Sequence, residues 1–105
     1  METITAGHRY TLNHLDGEGS EQLQFVDRGH GRNMEGTNNQ EVIRVLIDRV
    51  KFLELEKPWH GNAEIIKHLR MALVLHESRH LERIVERNLL FPEHEPTGSD
   101  GHFTR

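Results

Sequence analysis

Cysteine is absent from this chain of 105 residues. Neither a disulfide framework nor a thiolate metal site can therefore be built, and an intracellular, reducing compartment fits the composition best. The N-terminus also lacks a basic stretch followed by an apolar one, so we expect no secretory signal segment.

Long apolar runs and an excess of basic residues are missing as well. No run approaches the roughly 18 residues of a membrane span, so we expect a soluble protein. The 17 acidic and 13 basic side chains give a formal net charge of -4. This balance argues against tight binding of duplex DNA or RNA through a broad basic surface. A small anionic ligand held by a few local arginines is compatible with it.

Apolar residues are also scarce, at 34% of the chain. A chain of this length forms one small domain, and such a composition gives it only a thin hydrophobic core. A partner subunit would stabilise it further.

The first third of the chain has the pattern of a β-hairpin. His8–Leu15 and Glu21–Asp27 alternate in part and contain aromatic or β-branched residues, with a loop of glycines and acidic residues between them. We expect the hairpin over about 8–28. The glycine-rich stretch 29–36 is predicted to be a mobile loop.

The rest of the chain has the pattern of two amphipathic helices. Thr37–Gln40 has the form of a capping box, so we predict a helix over about 38–56 with an apolar stripe. The residues of that stripe are Ile43, Leu46, Val50 and Leu53. Pro58 ends this helix, and a second helix is predicted over about 62–88 with Asn62 as a plausible N-cap. The expected fold class is α+β, with a β-hairpin and an antiparallel helical hairpin in one domain over 1–90 and a flexible tail over 91–105.

The second helix is apolar on almost its whole circumference. At about 100° per residue, one set of apolar side chains lies on the side away from Leu69 and Leu73. This set consists of Met71, Val74, Leu75, Leu81 and Val85. Either a neighbouring copy of the chain or the N-terminal hairpin would cover this side, and we expect oligomers that form through the helices.

His76-Glu77-Ser78-Arg79-His80 matches the zinc-protease pattern H-E-x-x-H. Two histidines at i and i+4 reach one metal ion, and the glutamate between them serves as a general base. A third protein ligand does not stand out, and Arg79 places a cation beside the metal. We therefore interpret His76 and His80 as half-buried structural histidines and keep a small zinc hydrolase as the alternative.

Arg79 and Arg83 are spaced to form a guanidinium row on one side of the second helix. Arginine binds phosphate oxygens in a bidentate manner. A solvated row paired with Glu82 and Glu86 is the other interpretation of the same spacing. Phe52 lies off the apolar stripe, so it either fills an oligomer contact or offers a ring for base stacking.

The segment GTNNQEVIRVLIDRVKFLELEKPWHGNAEIIKHLRMALVLHESRHLER resembles the helical-hairpin family of phage proteins that includes the anti-Thoeris and anti-CBASS nucleotide sponges. The resemblance rests on the start GTNNQEV, the aromatic Phe52, the turn residues Pro58 and Asn62, the pair Ala72-Leu73, and Arg79 with Arg83. It covers close to half of the chain. Tyr10-Thr11-Leu12 and Gln22–Val26 also look like the β-hairpin of the anti-Thoeris branch.

This resemblance implies a catalytically inert trap for the cyclic nucleotide signals of antiviral defence, in the cytoplasm of an infected bacterium. The ligand would be a cyclic ADP-ribose isomer or a cyclic oligonucleotide. Phe52 would stack the adenine, Asn62 would hydrogen-bond the ligand, and Arg79 with Arg83 would bind its diphosphate. Thr37, Asn38 and Arg32 would contribute from the loop. No cofactor, nucleic acid or membrane is implied, and the expected assembly is a homodimer or a homohexamer.

Overall fold

The structure is a computed structural model that describes residues 1–27 and 35–90, with the last two of these described by backbone only. It confirms the α+β class. The elements in chain order are β1 (Glu2–Thr5), β2 (Arg9–Asn13), β3 (Ser20–Gln24), α1 (Asn39–Glu56) and α2 (Asn62–Leu90). The chain divides into two compact units, Met1–Asn39 and Gln40–Arg105.

The N-terminal unit contains an antiparallel sheet with the strand order β1-β2-β3. The predicted hairpin is present as β2 and β3, which pair in register from Arg9 with Gln24 to Asn13 with Ser20. Strand β1 lies before the predicted hairpin and adds a third strand that the sequence pattern did not predict. That strand has four residues, none of them buried, so it lacks the alternation of buried and exposed side chains that reveals a strand.

The connection between β2 and β3 depends on glycine and histidine. Gly17 and Gly19 both have φ of 83°, in the left-handed region that glycine adopts without strain. The His14 ring contacts the Glu18 carbonyl oxygen and the Glu21 carboxylate, each at 2.9 Å. The hydrogen bond to Glu21 and then the one to the Glu18 carbonyl raise the pKa of His14, because both favour the protonated ring.

The chain beyond β3 stays attached to the same unit. Thr37 forms a parallel bridge with Phe25, and the Thr37 N–H donates to the Gln24 carbonyl oxygen at 2.8 Å. The Phe25 ring meets Tyr10 edge to face, with the ring centroids 6.1 Å apart. The predicted capping box is therefore wrong in one respect, because the Thr37 N–H donates to the Gln24 carbonyl oxygen and not to the side chain of Gln40. Most of the predicted loop 29–36, and the predicted tail 91–105, lie outside the described residues.

The second unit contains the two predicted helices with small changes at their ends. Helix α1 begins one residue later than predicted, and α2 continues to Leu90. The N–H of Lys57 donates to the Leu53 carbonyl oxygen, and Pro58 follows at once, which ends α1. At the start of α2, the Gly61 carbonyl oxygen accepts the N–H of Ile65 at 3.0 Å.

The hydrophobic core is as thin as the composition predicts. Ile47, 8% exposed, is the only buried apolar side chain among the described residues. The predicted α1 stripe is partly wrong, because Leu46 and Leu53 are exposed and the buried line passes through Ile47 instead. Apolar spacing alone does not distinguish these lines, since Leu46 and Ile47 are adjacent in sequence and lie about 100° apart on the helix. Among the described residues, no helix combines the length and apolarity needed to cross a membrane.

Candidate functional site

One ion pair establishes how α1 and α2 lie side by side. Arg44 Nη2 is 2.8 Å from Glu77 Oε1, and the same Arg44 also contacts Glu41 through Nη1 at 2.8 Å. Because the helices are antiparallel, each step forward from Arg44 along α1 corresponds to a step back from Glu77 along α2. These contacts make it possible to compare the positions of the predicted site residues.

Arg79 and Arg83 lie one turn apart near the C-terminal end of α2, separated by about 6 Å along the helix axis. Arg79 is exposed and Arg83 is half-buried. Within residues 1–27 and 35–90, no carboxylate lies in ion-pair distance of either guanidinium. The pairing with Glu82 and Glu86 that would neutralise this row is therefore not formed.

Phe52 is exposed, at 51%, but it does not share a surface with Arg79. Phe52 follows Arg44 by eight residues, so it lies about 80° around α1 from the face that carries the Arg44–Glu77 pair. Arg79 follows Glu77 by two residues, which places it about 160° around α2 from that same pair. The two side chains also differ by about 15 Å along the hairpin axis. One copy of the hairpin does not bring them together.

Asn62 is buried at the turn between the helices, where its side chain already has a structural partner. Its Nδ2 donates to Glu54 Oε1 at 2.8 Å, and the Trp59 N–H donates to the same oxygen at 3.1 Å. The bond from Asn62, followed by the bond from Trp59, lowers the pKa of Glu54 because both donors favour the carboxylate. Asn62 lies about 25 Å from Arg79 along α2, so it belongs to a different region of the hairpin.

A cleft of about 410 Å³ lies beside this turn and was not predicted from the sequence. Its lining includes Glu54, Trp59, His60 and Asn62. Gly61 has no space for a side chain, because a Cβ atom there would overlap the Trp59 ring. Two features of the sequence could have indicated this turn. One is a tryptophan followed two residues later by a glycine, and the other is the eight-residue spacing of Glu54 and Asn62.

The zinc-protease letters do not form a complete metal site within the described residues. His76 and His80 are half-buried, as the structural interpretation predicts. Glu77, which would act as the general base, is bound to Arg44. No group of three histidine or acidic residues among those described is arranged to hold a metal ion.

The remaining predicted site residues belong to the N-terminal unit or its connection. Thr37 and Asn38 are half-buried just before α1, where the Thr37 backbone is used by the bridge to Phe25. Arg32 lies outside the described residues. These positions therefore stay predictions.

The helical unit also exposes a set of apolar side chains. Met71, Val74, Leu75, Leu81 and Val85, which the helical phase places away from Leu69 and Leu73, are between 53% and 68% exposed. On α1, Val45 and Leu55 are exposed as well. Exposed apolar side chains that share one face of a helix often mark an interaction surface.

Comparison with known proteins adds no relative, since no family model, no curated protein and no solved structure matches this chain.

Proposed function

We propose that this chain is a non-catalytic binding protein that captures a small cyclic nucleotide within an oligomer and so removes it as a signal. The preferred ligand is a cyclic ADP-ribose isomer, with cyclic oligonucleotides as the second class. In this role the protein is an immune-evasion factor of phage type, as the sequence resemblance implies, and it acts without cleaving the ligand.

The observation that carries this proposal is the guanidinium row of Arg79 and Arg83, which has no carboxylate partner within residues 1–27 and 35–90. Two arginines one turn apart match the spacing of a diphosphate, and a charge-assisted bidentate contact is about twice as strong as a neutral hydrogen bond. The net charge of -4 does not oppose such binding, because local cations dominate the field at short range.

The separation of Phe52 from Arg79 supports a ligand site shared between copies. A base stacked on Phe52 and a diphosphate on Arg79 of the same copy would have to span about 15 Å and two different faces. A compact cyclic nucleotide meets both groups only when a second copy supplies one of them. The exposed apolar side chains along α2 provide a surface for such association.

Sequestration is favoured over hydrolysis by the state of Glu77. A general base must accept a proton from water, and Arg44 already binds one oxygen of this carboxylate at 2.8 Å. The described residues also lack a third ligand that would complete a metal site with His76 and His80.

The decisive experiment is native mass spectrometry of EDTA-treated protein with a panel of cyclic ADP-ribose isomers and cyclic di- and trinucleotides. We expect an oligomer with stoichiometric ligand, and heating should release the nucleotide chemically unchanged. Recovery of an opened or cleaved nucleotide would instead identify an enzyme. An oligomer that binds no member of the panel would leave a purely structural role.

A further inference from the structure

The outer face of α2 carries a continuous line of side chains that we call the outer seam. Its members recur every three or four residues, the spacing of a helix that packs along another helix. They are Ala63, Lys67, Met71, Val74, Ser78, Leu81 and Val85. All are exposed, and the line lies opposite the α1-facing side of the helix. At 1.5 Å per residue the outer seam is about 33 Å long.

Two shallow clefts flank Val74, which lines both of them. The first lies toward the N-terminal end of α2 and has Lys67 and Arg70 among its lining residues. The second lies toward the C-terminal end and is lined by Glu77, Ser78 and Leu81, among others. Both are mainly apolar, but the first carries two cations and the second carries an anion. Each cleft therefore has the charge that complements the other.

We propose that the outer seam is the interface with a second copy of this chain, packed antiparallel about a twofold axis at Val74. This arrangement places the cationic cleft of each copy on the acidic cleft of the other. Val74 then faces Val74, and Ala63 at one end of the seam faces Val85 of the second copy at the other end. The mostly small and apolar side chains along the line allow close approach of the two helices.

A specific ion pair follows from the same geometry. Arg70 and Glu77 are seven residues apart, which is two helical turns, so they lie on the same flank of the seam. Arg70 lies four residues before Val74, and Glu77 lies three residues after it. An antiparallel twofold axis at Val74 therefore brings Arg70 of each copy to Glu77 of the other. Glu77 uses Oε1 for Arg44, which leaves Oε2 for this contact.

A parallel, in-register pair is disfavoured by the same charges. Each seam residue would then face the same residue of the second copy, so Lys67 would face Lys67 and the two cationic clefts would lie opposite each other. Like charges directly opposed are destabilising, and in helical pairs they determine orientation. The antiparallel dimer does not depend on nucleotide capture, because Arg79 and Phe52 lie outside the outer seam.

The lack of cysteine makes orientation directly measurable by disulfide crosslinking. Two single-cysteine proteins, Ala63→Cys and Val85→Cys, are mixed in equal amounts and oxidised. We expect a crosslinked dimer that contains one chain of each kind, and little product from Val85→Cys alone. A dominant Val85→Cys homodimer would show parallel packing, and absence of the mixed product would exclude the register about Val74; either result overturns the proposal.

A second measurement tests whether the surface matters at all. Val74→Asp places a charge at the centre of the seam, at a side chain that is exposed in the single chain. By sedimentation velocity, we expect its dimer dissociation constant to rise by roughly 100-fold or more, because the twofold axis places the two new carboxylates opposite each other in an apolar contact. The matched control Val45→Asp, equally exposed on α1, should dimerise like the unmodified chain. A monomeric unmodified chain, or equal effects of both variants, would overturn the interface.

Discussion

Arg79 and Arg83 are cations whose charge is not balanced by any carboxylate within residues 1–27 and 35–90. This is informative because the same helix offers acidic neighbours at the spacing that forms surface ion pairs. An exposed pair of that kind contributes only about 0 to 1 kcal/mol, whereas a hydrogen bond between a charged group and a ligand contributes about 1.5 to 3 kcal/mol. A phosphate therefore competes effectively for these side chains.

The residue-scale prediction concerns these two arginines. Arg79→Ala and Arg83→Ala should each weaken binding of the cyclic nucleotide by about 1.5 to 3 kcal/mol, measured by isothermal titration calorimetry. Arg49→Ala, an exposed arginine on α1, removes the same charge and should leave the affinity unchanged. Normal affinity in both Arg79→Ala and Arg83→Ala, or an equal loss in all three variants, would remove the proposed phosphate site.

At the scale of elements, the two helices and the β2–β3 hairpin were predictable because their signals are local. Pro58 ends α1, and glycines with positive φ form the turn after β2, so short-range chemistry determines these boundaries. Strand β1 was not predictable in the same way, since its exposed side chains carry no pattern and its pairing with β2 is a tertiary event.

For the candidate site, too, some features were predictable from the sequence and others were not. The arginine row and the exposure of Phe52 followed from helical phase alone. The commitment of Asn62 to Glu54 and of Glu77 to Arg44 did not, because each contact joins residues on different helices. Sequence spacing therefore predicts which side chains share a face of one helix, and it leaves open which partner each side chain meets across the hairpin.

The element-scale prediction concerns the turn between α1 and α2. The pKa of Glu54 is lowered in the folded chain, so its contribution to stability is present above its ordinary value of 4.5 and is lost as the pH falls through the folded pKa. Glu54→Gln keeps the shape and an acceptor but removes the charge. We expect the variant to be less stable than the unmodified chain at neutral pH and equally stable in acid, as measured by urea unfolding at a series of pH values.

Glu56→Gln is the matched control for this turn, because Glu56 is exposed and accepts no hydrogen bond from the described residues. A pH-independent difference between Glu54→Gln and the unmodified chain would contradict the charged hydrogen bonds at the turn. His14 titrates in the opposite sense, since its raised pKa gives stability below its ordinary value of 6.5 that is lost at higher pH. The acid range therefore reports on Glu54 and not on His14.

In the whole molecule, a thin hydrophobic core accompanies helices whose apolar side chains are exposed. Within the described residues, one buried apolar side chain supports two helices of 18 and 29 residues, and the ion pair that joins them is about half exposed at both ends. A pair with that exposure adds less than about 1 kcal/mol. Association through the outer seam would bury further apolar area at roughly 25 cal/mol per Å². The twofold axis would also place Arg79 of the two copies on one face, about 15 Å apart along the helices.

The whole-molecule prediction is that stability depends on protein concentration. For a chain that unfolds from a dimer, each tenfold increase in concentration stabilises the folded dimer by about 1.4 kcal/mol, so the urea midpoint rises. The Val74→Asp variant should lose this dependence and should unfold at a lower midpoint, while Val45→Asp should keep it. Circular dichroism over a dilution series measures the midpoint of each protein. A midpoint of the unmodified chain that is constant across the series would mean that the helical hairpin is stable without a second copy, and the exposed outer seam would then need another occupant.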